Sequence, residues 1–142
     1  MKISPAAEFA VRGALVLAER YGNGPTTLDS ICDARDLSKQ YLVKIFASLA
    51  RAGLVTPVRG KRGGYLLARD PAKINLLELI EAVEGPVAVN FCQHDPPRCE
   101  KTECGLRSMW ADIQEFICDK LEGTTLGQCL DAADPDPISK VN

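Results

Sequence analysis

The sequence predicts a mainly α-helical fold with a small β-hairpin wing, a winged helix-turn-helix, followed by a long C-terminal helix. The first observation is that apolar residues recur at three- and four-residue spacing in three successive segments, as in amphipathic helices. The second is a pair of short extended runs around a basic, glycine-rich tip, which predicts a hairpin. The third is a return of the helical spacing near the C-terminus. Three helices followed by a basic hairpin is the element order of a winged helix-turn-helix.

The first two helices are recognised by their end signals. Ser4 and Pro5 open the first helix, because serine can cap it and proline suits its first position. The run Gly-Asn-Gly-Pro at residues 22–25 stops it. Thr26 precedes Asp29 by three residues, which we interpret as a capping box at the start of a short second helix.

The third helix begins at Leu37 and Ser38 and ends at Ala52 and Gly53, where glycine suits the left-handed position after a helix. One face is an apolar stripe formed by Leu42, Ile45, Phe46, Leu49 and Ala50. The opposite face carries Lys39, Gln40, Val43, Lys44, Ala47 and Arg51. We therefore expect the stripe to pack on the core and the polar face to meet a ligand.

The wing is predicted from extended runs at residues 54–58 and 65–68. Pro57 indicates that its strand has an unpaired edge, because proline cannot donate to a ladder. The tip reads Arg-Gly-Lys-Arg-Gly-Gly at residues 59–64. Its glycines let the backbone approach a phosphate, or let an arginine enter a minor groove.

The remaining chain holds a short helix at residues 75–83, an aperiodic segment of about twenty residues, and a helical pattern at residues 106–121. We therefore divide the chain into four parts. They are a winged helix-turn-helix at residues 1–75, a short helix and cysteine-rich loop at 76–104, a long helix and C-terminal segment at 105–132, and a disordered tail at 133–142.

Composition narrows the class of protein. Hydrophobic residues make up 46% of the 142 residues and charged residues 25%, which is typical of a globular protein and excludes a collagen or a coiled-coil rod. No stretch approaches the ~20 apolar residues of a membrane span, and the N-terminus lacks a signal-peptide pattern. We expect a cytoplasmic protein without a membrane partner.

The charge is unevenly distributed. Residues 1–75 hold 12 Lys and Arg against 6 Asp and Glu, whereas residues 76–142 hold 5 against 13. A basic first half fits a domain that binds a polyanion. Because a major groove admits one α-helix, the polar face of the third helix and the wing tip predict binding to double-stranded DNA. The alternative is a winged helix that contacts protein. The predicted DNA-binding residues are Ser38, Lys39, Gln40, Tyr41, Lys44, Arg59, Gly60, Lys61 and Arg62.

Three cysteines lie in the aperiodic segment. Cys92, Cys99 and Cys104 form a C-x6-C-x4-C pattern. Thiolates favour zinc or an iron–sulfur cluster, and the wide spacing without a C-x2-C pair favours the cluster. Zinc, a thiol switch or plain loop cysteines are the alternatives. A fourth ligand is needed, and the candidates are His94, Asp95, Glu100, Glu103 and Glu8.

The other three cysteines have a different setting. Cys32, Cys118 and Cys129 lie in or beside helical apolar patterns, so we expect small buried hydrophobic residues there. The sequence also shows no nucleophile–base pair, phosphate loop or cofactor fingerprint, and it has a single histidine. We therefore expect no enzyme.

Several segments carry a resemblance to a known family. The most specific are Val-Arg-Gly-Lys-Arg-Gly-Gly-Tyr-Leu-Leu at residues 58–67 and Ala-Val-Glu-Gly at residues 82–85. Ala-Val-Arg at residues 10–12, Trp110 and Thr-Thr-Leu at residues 124–126 continue it. Over about residues 1–130 the sequence resembles the Rrf-type winged-helix transcription regulators. The three cysteines after the Glu-Gly pair mark the iron–sulfur branch of that family.

The resemblance implies a cluster-sensing homodimer. Each protomer would hold a 4Fe–4S or 2Fe–2S cluster in its cysteine loop, beside the partner's DNA-binding domain, and the state of that cluster would set the affinity for an operator. The signal would be iron, redox state, oxygen or nitric oxide. The third helix would contact the major groove and the wing the minor groove. The long helix would form the two-fold interface through Leu106, Trp110, Ile113, Ile117 and Leu121.

Some positions depart from relatives within the family. One type has a histidine ligand three residues after the third cysteine, where this chain has Arg107. Other members use a carboxylate at the eighth residue, supplied across the dimer, and this chain has Glu8 there. The resemblance therefore implies Glu8 as the fourth ligand in trans. The alternative role for Glu8 is a favourable acid near a helix N-terminus.

Two further departures concern the cluster and the operator. The x6/x4 cysteine spacing replaces the usual x5/x5 over the same span, which leaves the cluster type open. Val43 replaces a glutamate in the third helix, so the operators need not be shared. The alternative function is a cluster-free regulator that is controlled by a partner protein, zinc or thiol oxidation.

Overall fold

A computed structural model describes residues 3–101 and 103–132, so the predicted tail at residues 133–142 lies outside the described residues. The elements are α1 (Pro5–Glu19), α2 (Leu28–Arg35), α3 (Lys39–Arg51), β1 (Val55–Val58), β2 (Gly64–Leu67), α4 (Leu76–Glu84), α5 (Arg107–Glu122) and α6 (Leu126–Asp131), with 3-10 turns at Pro71–Lys73 and Phe91–Gln93. The predicted mainly helical fold with a hairpin wing is confirmed. Across the described ranges, no helix is both long and apolar enough to cross a membrane.

Helix α1 is the central element of the fold. It contacts α2, α3, α4, α6 and strand β2, and the turns between residues 13 and 18 are buried on all sides. Gly13 makes this crossing close, because a Cβ there would lie 2.7 Å from Cε2 of Phe46 in α3. As predicted, Ser4 caps the helix, and its hydroxyl accepts a hydrogen bond from the Ala7 amide at 3.2 Å.

The helix-turn-helix consists of α2, a tight turn and α3. The cap of α2 is Thr27 and not Thr26, because the Thr27 hydroxyl accepts from the Ser30 amide at 3.2 Å. Asp36 takes a left-handed conformation with φ of 52° and ends α2. The guanidinium of Arg12 donates to the Arg35 carbonyl at 2.9 Å, which ties α1 to this turn.

The wing is an antiparallel hairpin in which Val55 pairs with Leu67 and Val58 pairs with Gly64. Thr26 is buried because it continues this sheet: its amide donates to the Tyr65 carbonyl at 3.0 Å, and it accepts in return at 2.8 Å. Strand β2 thus has partners on both sides, whereas β1 is the edge strand that Pro57 predicted.

The C-terminal half is held against α1 and the turn before α4. Asn75 and Glu78 form a capping box at the start of α4. Helix α6, which the sequence analysis did not anticipate, buries Leu126 completely, and the Leu126 amide donates to the Ile74 carbonyl at 2.9 Å. Leu126 therefore closes the core from the C-terminal side.

Candidate nucleic-acid interface and cysteine centre

The exposed face of α3 contains the residues that the sequence predicted for DNA. Lys39, Gln40, Tyr41 and Lys44 are exposed, and so is Ser38, which occupies the N-cap position without a capping hydrogen bond from its side chain. Beneath them, Leu42, Ile45, Phe46 and Leu49 are buried in the core, as the apolar stripe predicted. Helix α3 is therefore held by the core on one face and exposed to solvent on the other.

Two contacts hold the N-terminal turn of α3 in place. The Lys39 ammonium lies 2.6 Å from the Asp29 carboxylate of α2. The hydrogen bond to Asp29 raises the pKa of Lys39, so this lysine stays charged. The ring of Tyr41 meets Phe9 of α1 edge-on, with 6.0 Å between centroids. These contacts orient the turn that would enter a groove first.

The wing tip is basic and exposed. Arg59, Lys61 and Arg62 all lie on the surface, and the intervening Gly60 has φ of 108°, a conformation that favours glycine. The rings of Phe46 and Tyr65 meet edge-on at 4.8 Å, which fixes the wing relative to α3. The chain therefore presents one helix face and one cationic loop from a single rigid unit.

The cysteine loop forms a cavity of about 160 Å³ that all three predicted cysteines line. Cys92 and Cys99 are partly buried there and Cys104 is exposed. Trp110 supplies an aromatic wall, and Lys101 and Arg107 also line the cavity. Positive charge at this position complements a group bound by several thiolates.

The three loop cysteines line one cavity, and a single-ion site is not formed among them. Among residues 3–101 and 103–132, no three Cys, His, Asp or Glu side chains are grouped closely enough to hold a single metal ion. A tetrahedral zinc site would require thiolates within about 2.3 Å of one ion. An iron–sulfur cluster distributes its thiolates over separate irons, so a cavity between the cysteines fits it better.

Hydrogen bonds join the cysteine loop to α5. The Gln93 amide group donates to Sγ of Cys92 at 3.4 Å and to the Arg107 carbonyl at 3.3 Å. The Val89 amide donates to Oε1 of Gln114 at 3.1 Å. Neither the role of Gln93 nor the position of Trp110 in this cavity is visible in the sequence, because both depend on how the loop folds back on the helix.

The candidate fourth ligands lie in different places. Glu8 does not line the cysteine cavity of its own chain; it lies beside Ala7 and Val11 in an apolar groove, and its carboxylate is 3.6 Å from the Arg12 guanidinium. His94 lines a different cavity and stacks on Phe91 with 6.5 Å between ring centroids. Asp95, Glu100 and Glu103 are exposed in the loop.

The three remaining cysteines have thiols that stay protonated. Burial raises the pKa of Cys32, and the nearby Asp29 carboxylate raises it further. Burial likewise raises the pKa of Cys118, with Glu81 adding to the effect, and it raises the pKa of Cys129. Of the three, Cys32 is buried as expected, and Cys118 and Cys129 are partly buried.

Helix α5 has two apolar stripes. None of its residues is fully buried, and the outer stripe comprises Leu106, Met109, Ile113 and Phe116, which are exposed. Trp110, Ile117 and Leu121 lie on the inner side and line cavities of their own chain. The predicted interface residues thus fall on both stripes, and the outer stripe also includes Met109 and Phe116.

The family model for Rrf2, described as an iron-dependent transcriptional regulator, matches residues 3–132. A relative from Azotobacter vinelandii, the HTH-type transcriptional regulator ORF2, is 36% identical over 141 residues, which cover 99% of this chain and 86% of that protein. These matches cover the winged domain, the cysteine loop and α5 together.

Two solved structures share the fold. CymR, the global cysteine regulator of B. subtilis, has a TM-score of 0.82 at 32% identity, with 94% of this chain and 99% of that one covered. IscR from T. potens has a TM-score of 0.79 at 30% identity, with 99% and 94% covered. The named relatives are transcriptional regulators and not enzymes, as the sequence predicted. The chain is thus a member of the Rrf2 family of transcriptional regulators.

Proposed function

We propose that this regulator is a cytoplasmic homodimer whose affinity for a DNA operator is set by an iron–sulfur cluster in the cysteine loop. The observation that carries the proposal is the cavity shared by Cys92, Cys99 and Cys104. The family supplies the DNA-binding role, and the exposed faces of α3 and the wing supply the surface for it.

The donor set favours a cluster over the alternatives. Three thiols around a cavity of about 160 Å³ suit a group larger than one ion, and Lys101 and Arg107 offset its negative charge. When bound, such a cluster supplies a centre that iron shortage, oxygen or nitric oxide can alter. Cys32, Cys118 and Cys129 do not line this cavity, so we place them outside the ligand set.

The fourth ligand is proposed to come from a second copy of the chain. Glu8 does not line the cysteine cavity of its own protomer, yet its carboxylate is partly exposed on α1. The exposed stripe of α5 gives the two copies a surface to pair through. A carboxylate is more easily displaced than a thiolate, which fits a sensor. Because Arg12 contacts both Glu8 and the turn before α3, a change at Glu8 would reach the recognition helix.

The experiment is an iron and sulfide count per chain after anaerobic purification, with an absorption spectrum. We expect a brown protein with two irons and two sulfides, or four and four, in the range of known cluster types (about 2–4 irons per cluster). Cys92→Ser, Cys99→Ser and Cys104→Ser should each lose the colour, whereas the matched control Cys129→Ser should keep it. A colourless wild-type protein, even after reconstitution, would remove the cluster from the proposal.

A cluster-free regulator is the second candidate. The observation that favours it is the structural similarity to CymR, the global cysteine regulator of B. subtilis. In that case control would come from a partner protein, zinc or thiol oxidation. The same iron and sulfide count separates the two candidates. Only the cluster-bound regulator should contain iron, and it should lose that iron when any one of the three loop cysteines is replaced.

A further inference from the structure

The exposed face of α3 includes an apolar residue that the proposed function leaves unexplained. Val43 is 48% exposed and belongs to neither the buried core nor the residues packed against it. Tyr41 is 60% exposed on the same helix, but its ring is held by the edge contact with Phe9. A β-branched residue on the solvent side lowers helix propensity, so Val43 adds nothing to the stability of α3.

The surroundings of Val43 suit a base edge. Val43 and Lys44 line one shallow depression together with Gln40 and Tyr41. Gln40 lies three residues before Val43, which places the two side chains about 5–6 Å apart at Cβ on one helix face. The depression therefore combines an amide group, which can both donate and accept, with two methyl groups that can do neither.

The chemistry of the major groove selects the ligand for each group. Valine cannot bind a phosphate, because it has no hydrogen-bonding atom and no charge. The one apolar feature that base edges present in the major groove is the C5-methyl of thymine. An amide side chain pairs in a bidentate manner with N6 and N7 of adenine. Successive base pairs are stacked about 3.4 Å apart, so Gln40 and Val43 can reach the same or neighbouring pairs.

We infer that Val43 is a specificity-determining residue that contacts the C5-methyl group of one thymine in each operator half-site, with Gln40 placed to pair with an adenine beside it. This inference rests on the proposed use of α3 as the recognition helix. It concerns which base the helix selects, and it does not depend on whether the loop holds a cluster.

The test begins with duplexes selected by the full-length protein from a randomised pool. Each thymine of a selected duplex is then replaced in turn by deoxyuridine, which removes only the C5-methyl group. At one position per half-site we expect the wild-type affinity to fall about fourfold, the change that burial of one methyl group supports. Val43→Ala should bind the thymine and uracil duplexes at that position equally. Val43→Thr keeps one methyl and the same shape, and should retain part of the preference.

Two results would count against the inference. If Val43→Ala shows the same thymine-to-uracil ratio as the wild type at every position, Val43 does not contact a methyl group, and DNA binding by α3 still stands. If no duplex is enriched from the pool, the proposed DNA-binding role fails together with the inference. Because Val43 is exposed, both variants should fold, and matching circular dichroism melts verify this.

Discussion

At the residue scale, the six cysteines fall into two chemical groups. Cys32, Cys118 and Cys129 are held by helices in surroundings that raise the pKa of each thiol, mainly through burial. The loop cysteines line an open cavity that lies beside α5. The helical apolar patterns around the first group suggested this division, and in the structure burial raises the pKa of its three thiols, whereas the loop cysteines share one cavity.

This difference predicts unequal alkylation of the cluster-free protein at pH 8. A raised pKa means less thiolate at a given pH, so Cys32 should react with iodoacetamide at least about tenfold more slowly than the exposed Cys104, since the thiolate is the reactive form. Peptide mass spectrometry over time measures both rates, and unfolding in urea should make them similar. Equal rates in the folded protein would contradict the assignment of Cys32 as a buried, protonated thiol.

Glu8 is the residue on which the trans arrangement depends. Replacing it with Gln keeps the shape but removes the negative charge, so the bound cluster should be lost at least about tenfold faster, the lower end of the effect seen when partners of metal ligands are removed. Absorbance decay under air measures the lifetime, with Glu115→Gln on α5 as the matched control. An unchanged lifetime would leave Glu8 as an ordinary acid in the first turn of α1.

At the element scale, the crossing of α1 and α3 sets the position of the recognition helix. Gly13 permits it, because any Cβ would meet the buried ring of Phe46. Gly13→Ala should therefore destabilise the fold by about 1–3 kcal/mol through overpacking, although alanine improves helix propensity. Thermal melts measure the change. Gly105→Ala is the matched control, since nothing lies within 4 Å of its Cβ position. A higher melting temperature for Gly13→Ala would show that α3 can shift freely.

The sequence predicted best those helices and strands that are marked by residue patterns within their own segment. Helices α1 to α5 and the wing follow from periodicity, capping residues and glycine-rich turns. Helix α6 has only six residues, which is less than two turns and too short for a periodic pattern. The local spacing of Thr26 and Asp29 predicted a helix cap at Thr26. Its actual role, pairing with Tyr65, could not be predicted, because Tyr65 is 39 positions away in the sequence and adjacent only in the folded sheet.

The candidate site, like the fold, was predictable where its residues form a local pattern in the sequence. The loop cysteines, the polar face of α3 and the basic tip are visible as residue types at fixed spacing. Gln93 and the cavity wall formed by Trp110 are not, because they arise when an aperiodic loop packs on α5. A ligand from a second chain cannot be inferred from spacing in one chain, so Glu8 rests on the family resemblance.

At the scale of the whole molecule, the proposed function requires two copies of the chain. The outer stripe of α5 leaves Phe116 72% exposed, together with Leu106, Met109 and Ile113. Phe116→Glu places a charge on the most exposed residue of this stripe and should convert a dimer into a monomer, because an unpaired charge in an apolar interface costs on the order of several kcal/mol. Light scattering after gel filtration gives the mass, and Asp112→Asn on the same helix is the control. A dimer that survives Phe116→Glu would require a different interface.

The central claim is that the cysteine centre controls DNA affinity. One measurement tests it directly: fluorescence anisotropy of a selected duplex with the anaerobic dimer, before and after its iron is removed by chelation. We predict affinities that differ at least about tenfold, within the range of ordinary allosteric coupling. The same anaerobic handling without the chelator should leave the affinity near its starting value. Equal affinities for the iron-loaded and iron-free dimers would contradict the claim.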